Sequence, residues 1–184
     1  MRLASRFLVI LTLLLGIAGC YETDQEIFDA GSAVGIPGLE GRYVNGDSAY
    51  LVSRVEGSKD YRYVESAASP PGEGTLRIVA AGGDVFLVQL HRKEWEPNVY
   101  LHLIYRILRS GERIRELQQL SVTDKLLVAQ AERTGVILPK EGEQGSSKTG
   151  GGGAIKGTRE AIASFLRALA AGPFDHAEIY TRMD

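Results

Sequence analysis

The chain has 184 residues, 44% hydrophobic and 24% charged, a globular composition long enough to bury a core. Its 21 basic and 23 acidic residues nearly cancel, which argues against a nucleic-acid partner bound through bulk positive charge. One cysteine excludes an intramolecular disulfide framework and Cys-rich zinc or iron–sulfur sites, and three histidines leave room for only a sparse metal site.

Taken in chain order, residues 1–6 carry Arg2 and Arg6 and no acid. A twelve-residue apolar run follows from Phe7 to Ala18, interrupted only by Thr12 and Gly16. A membrane-spanning helix needs about 20 apolar residues, so this run has the length of a signal-peptide core instead. It ends in Ile17-Ala18-Gly19-Cys20, and Cys20 is the chain's single cysteine.

Those four residues resemble the lipobox of bacterial lipoproteins, with Ile17 where that family most often has Leu. The resemblance covers residues 1–20 and implies cleavage between Gly19 and Cys20, a diacylglyceryl group on the Cys20 thiol and acylation of the new amino terminus. Two or three acyl chains hold a protein to a bilayer far more firmly than one, at about 0.8 kcal/mol per buried methylene. Loss of residues 1–19 would leave 19 basic against 23 acidic residues, a formal charge of −4. Such a surface gains nothing from anionic lipid, so the covalent lipid alone is the expected anchor. Tyr21 stands where an inner-membrane retention signal would have Asp. In a cell with two membranes this implies the outer one, with the protein facing the periplasm.

Residues 20–38 read as the lipidated Cys and a flexible tether. The stretch holds Glu22, Asp24, Glu26 and Asp29 with few large apolar residues. Eighteen such residues would span about 20–25 Å. Residues 39–184 read as one β-rich α+β domain. Apolar and polar residues alternate over 39–45, 48–56, 61–66, 75–80, 84–92, 99–109 and 112–119, with turn residues between them. Short connections predict an antiparallel meander of about seven strands, a curved sheet or small barrel, and Asn45-Gly46 is the sharpest hairpin signal.

A turn centred on Glu96-Pro97 sets His91 opposite His102, Leu90 opposite Leu103, Val88 opposite Tyr105 and Phe86 opposite Ile107. One face is then apolar, and the other (Gln89, His91, His102, Ile104, Arg106) is mixed and partly wet. The spacing changes to helical over 121–135, with Thr123 as N-cap and Gly135 just past the end. Residues 136–138 read as a short strand, and 140–157 as a flexible Gly/Ser-rich loop. Thr158 then caps a second helix, 159–171, with Ile162, Phe165, Leu166 and Leu169 as its stripe. Residues 174–182 read as a returning edge strand.

Little in the chain points to catalysis. Residues 142–149 (GEQGSSKT) miss a phosphate-binding loop because Ser147 replaces its second glycine and four glycines follow instead of a helix. No nucleophile elbow is present. His91 and His102, with Glu94 or Glu96, make only a loose metal constellation, and His176 lies in a loose acidic cluster with Asp175 and Glu178. No metal or other cofactor is expected beyond lipid on Cys20. Tyr43, Tyr50, Tyr61, Tyr63, His91 and His102 are the candidate lining of a ligand groove. Gly41-Arg42-Tyr43 resembles the Gly-x-Trp signature that opens lipocalins, with Tyr in place of Trp, and implies at most a lipocalin-like meander. The expected function is a non-enzymatic, lipid-anchored envelope protein that binds a partner protein or serves envelope maintenance. The alternative is a lipocalin-like carrier of a small apolar molecule.

Overall fold

The computed structural model describes residues 20–66, 72–92, 94–95, 98–139 and 154–183. The expected signal sequence with its expected cleavage residue Gly19, the 142–149 stretch, and Glu96 and Pro97 of the expected turn lie outside the described residues. Among the described residues nine strands build one sheet. They are β1 (Tyr21–Thr23), β2 (Gly41–Asn45), β3 (Ser48–Arg54), β4 (Tyr61–Glu65), β5 (Gly72–Gly82), β6 (Val85–Arg92), β7 (Tyr100–Ser110), β8 (Arg113–Val122) and β9 (Phe174–Met183). From β2 to β9 each strand pairs antiparallel with its sequence neighbour, and β9 also pairs with β2. The result is an eight-stranded up-and-down barrel, the arrangement that lipocalins share. The last strand is therefore not an edge: it closes the barrel. β1 is an extra strand, laid along the start of β7 where Tyr21 opposes His102.

Local chemistry explains the hairpins. Between β2 and β3 the chain turns at Gly46-Asp47, where Gly46 has φ 53°, the left-handed backbone a tight two-residue turn requires. The β6–β7 pair differs from expectation by two residues. Leu90 opposes Leu101, Gln89 opposes His102, Val88 opposes Leu103 and Phe86 opposes Tyr105. A shift of two preserves which side chains share a face. The cause lies in the connection: Trp95 is buried with Val99 and Leu101, and its N–H bonds back to Arg92 O at 3.2 Å. That draws the turn toward β6.

Alternation along each strand sends one set of residues into the barrel and the other outward. On β6, Phe86, Val88 and Leu90 face in, while Val85, Leu87 and Gln89 are buried on the outside. The outer face expected to be partly wet is dry at Gln89, His102 and Ile104 because other segments cover it. One cover is α2 (Arg159–Ala170), whose Ile162, Phe165, Leu166 and Leu169 are fully buried in the outer cluster with Leu87, Ile104 and Leu120. Burying such side chains contributes about 1.5–3 kcal/mol each before entropy is subtracted. The companion helix α1 (Asp124–Thr134) begins at Thr123, whose hydroxyl accepts from Leu126 N, and ends at Gly135 with φ 72°. Both helices stand between β8 and β9, and Thr158 caps α2 by accepting from Ala161 N.

The other cover is the segment expected to be a tether. Residues 21–38 are folded onto the barrel, with Ile27, Phe28, Ala33 and Ile36 buried and a 3-10 turn at Ala30–Ser32. Long-range side-chain bonds satisfy its backbone. Gln89 Oε1 accepts from the N–H groups of Ile27 and Phe28, each at 2.9 Å, and Gln89 Nε2 donates to Phe28 O. Arg77 donates to Phe28 O while paired with Asp60 and Glu26, and Arg159 Nε donates to Ile27 O. The Gly/Ser loop also ends earlier than expected: Ile155 is buried, and Lys156 bridges to Ile137.

Beneath this segment His102 is wholly buried, its Nε2 3.0 Å from Thr23 Oγ1 and its Nδ1 without a partner among the described residues. Thr23 Oγ1 donates to Gln25 O, so Nε2 carries the proton and donates to Thr23. Burial lowers the imidazole from 6.5 to about 3. The folded state thus excludes a proton that the unfolded chain takes up near 6.5. This contribution to stability is complete above pH 6.5 and is lost as pH falls toward 3, by roughly 1.4 kcal/mol per unit. Denaturant unfolding from pH 7 to 4 should show a shallower loss of stability in His102→Leu than in the wild type. Identical pH slopes would contradict this account of His102.

Candidate functional site

The barrel's two ends differ. At the end where β3 stops and β4 starts, residues 34–40 cross the opening. Tyr61 OH accepts from Ile36 N at 2.7 Å and donates to Ile36 O at 3.1 Å. Tyr43 OH donates to Leu39 O at 2.8 Å, and Arg109 Nη2 donates to Pro37 O at 3.0 Å. Arg182, near the end of β9, donates to the carbonyls of Gly38 and Glu40. Ile36 and Leu39 are buried there as a plug. This end is shut.

Above the plug lies a cavity of about 280 Å³, close to the lower end of the range for small-ligand sites. Its walls are Val52, Ile78, Val88, Leu103, Ile107 and Leu117, with the rings of Tyr43, Tyr50, Tyr63 and Tyr105 among them. Polar groups collect toward the other end, where β4 and β6 finish and β7 begins. Arg92 Nη2 donates to Glu65 Oε2 at 2.7 Å, and Arg92 Nε lies 3.2 Å from Glu94 Oε1. The guanidinium also sits 5.9 Å from the ring centres of Tyr63 and Trp95. Gly72 makes that reach feasible, since a Cβ there would fall 1.9 Å from Arg92 Nη2. Both ion-pair side chains are about one-fifth exposed, which marks this end as the mouth.

On the facing wall Gln119 Oε1 accepts from Tyr105 OH at 3.1 Å and from Tyr180 OH at 3.3 Å. Gln119 Nε2 is directed at Cys20 Sγ, 3.8 Å away. Burial, with Glu178 adding to it, pushes the Cys20 thiol up to about 11. Burial likewise pushes Tyr63 up to about 12 and Tyr105 well above its ordinary range. Burial thus favours the neutral forms of these phenols and of the thiol within the chamber. Its chemistry suits binding.

The chain matches no family model, no curated protein and no solved structure.

Of the residues expected to line a groove, the cavity takes in Tyr43, Tyr50 and Tyr63. Tyr61 is spent on holding the plug. His102 lies on the outer face beneath β1, and His91, also outside the cavity, bonds Val99 O through Nδ1 at 2.9 Å. The two histidines are thus neither cross-strand partners nor a shared ligand site. Among the described residues no group of three His, Cys, Asp or Glu side chains stands close enough to hold a metal ion. Glu65, Arg92, Trp95, Gln119 and Tyr180 went unnoticed as lining residues. Strand parity identifies two of them, because Arg92 shares its face with Val88 and Leu90, and Gln119 shares its own with Leu117.

Proposed function

We propose that the protein is a lipid-anchored, lipocalin-like carrier of the cell envelope that shelters one small apolar molecule in its barrel. The observation that carries this reading is the apolar cavity, plugged at one end and bordered by polar groups at the other. A meander that served only as a platform for a partner protein would gain stability by filling that space, since empty volume costs about 24 cal/mol per Å³. The cavity therefore favours carriage over the partner-binding role.

The anchor and the cavity support one another. Cys20 directly precedes β1 and lies in the cavity wall near the mouth. A lipid on its sulfur would leave the protein at the mouth, with no spacer between bilayer and barrel. Cargo would then exchange close to the membrane, where apolar molecules are abundant. No described helix is long and apolar enough to cross a membrane, so attachment in this reading comes from the acyl chains.

Two outcomes follow. In cells fed radiolabelled palmitate, the wild type should become labelled and fractionate with membranes, whereas Cys20→Ala should be unlabelled and keep its signal sequence. An unlabelled, freely soluble wild type would contradict the anchor. For the cavity, Leu103→Trp should lower affinity for the neutral fluorescent probe N-phenyl-1-naphthylamine at least about tenfold, equal to 1.4 kcal/mol. Circular dichroism should be unchanged. Undiminished probe binding in this variant would place the ligand elsewhere.

A further inference from the structure

We infer that the molecule this barrel selects is an uncharged amphiphile, a single hydrocarbon chain ending in a hydroxyl or glyceride head, in preference to a free fatty acid. This inference rests on the carrier reading and adds the chemistry of the head group.

The first observation is the distribution of charge at the mouth. Only one cation, Arg92, lines the cavity among the described residues, and it is already paired with Glu65 at 2.7 Å and flanked by Glu94. A third carboxylate, Glu178, reaches Tyr180 OH at 3.4 Å. Glu65 and Glu94 thus flank the one guanidinium, and an incoming carboxylate would have to displace Glu65, leaving that acid without its partner. Removing one member of a poorly solvated pair is costly. Arg109 and Arg182 do not compensate. They bond the carbonyls of Pro37, Gly38 and Glu40 beyond the plug.

The second observation is the set of neutral hydrogen-bonding groups. Arg92 Nε is buried and has no hydrogen-bond acceptor among the described residues, because its approach to Glu94 has the distance but not the geometry of a hydrogen bond. Among the described residues Gln119 Nε2 is directed at the Cys20 sulfur, a weak acceptor. These two donors lack a good oxygen. Tyr50 OH and Glu65, joined at 3.3 Å, supply an acceptor close to Arg92. A hydroxyl or ester oxygen satisfies the donors without adding charge, and a hydroxyl proton finds Glu65. Burial, and after it Glu178, raises the Tyr180 phenol, and the same local field disfavours any new anion.

The test is competition against bound N-phenyl-1-naphthylamine on the full-length mature protein, with 1-monolaurin and laurate compared below their micellar concentrations. At pH 7.4 monolaurin should displace the probe at least about tenfold more effectively than laurate, a difference of 1.4 kcal/mol. Glu65→Gln, which frees Arg92 from its partner and weakens the acceptor for a ligand hydroxyl, should raise laurate affinity, lower monolaurin affinity and so narrow the ratio several-fold. Laurate that competes as well as monolaurin in the wild type would overturn the inference and leave carriage standing. Failure of the neutral probe itself to bind would overturn carriage and the inference together.

Discussion

The structure depends on the lashing of residues 21–40 to the barrel. An antiparallel barrel satisfies its own strands, but a segment crossing its end carries carbonyl and N–H groups that no ladder can take up. Here side chains take them up: Tyr43 from four residues on and Tyr61 from 25 at the plug, and from farther along the chain Gln89 on the outer wall and Arg77, Arg109, Arg159 and Arg182 around the rim. Each bond contributes only about 1 kcal/mol net, yet each buried polar group left unmatched would cost about 1–3 kcal/mol. That asymmetry fixes the segment in one place. One end of the barrel is thereby shut, and the outer face of β6 and β7 is covered.

With one end shut, the interior becomes a chamber with a single mouth. Eight strands leave room either for interlocking side chains or for one small ligand. Here the aromatic rings stand along the walls, drawn there by specific bonds. Tyr43 turns to Leu39 O, and Tyr105 and Tyr180 turn to Gln119. Tyr50, Tyr105 and Tyr180 also meet edge to face, with ring centres 5.5 and 5.9 Å apart. Such contacts hold aromatic rings in defined positions. The space left between these rings is the cavity, and the Glu65–Arg92 pair sets the electrostatic character of its mouth.

Much of this fold was legible in the residues. The period-two runs located β2 through β8 to within a few residues, and Thr123, Gly135 and Thr158 marked helix ends where caps are found. Register was less legible, because a buried Trp95 shifts the β6–β7 turn and no local rule announces that burial. Residues 21–38 were misread for a related reason. Their acidic, glycine-containing composition resembles a spacer, while the partners that order them lie 25 to 144 positions away. The cavity was legible only in part. Tyr43, Tyr50 and Tyr63 were recognisable as aromatic strand residues, but which tyrosines face inward depends on closure through β9, and that pairing is not encoded locally. Tyr61 shares the inward alternation of Tyr63 yet is taken up by the plug, whereas the two histidines lie on the outer face to which alternation assigns them.

The most direct test of the central claim is native mass spectrometry of the protein gently isolated from the cells that make it. The account predicts one noncovalently held, chain-length-restricted neutral lipid per protein, in addition to the covalent mass on Cys20, released intact on collisional activation. A population consisting only of the bare acylated protein, with no bound molecule under conditions that preserve the fold, would contradict it.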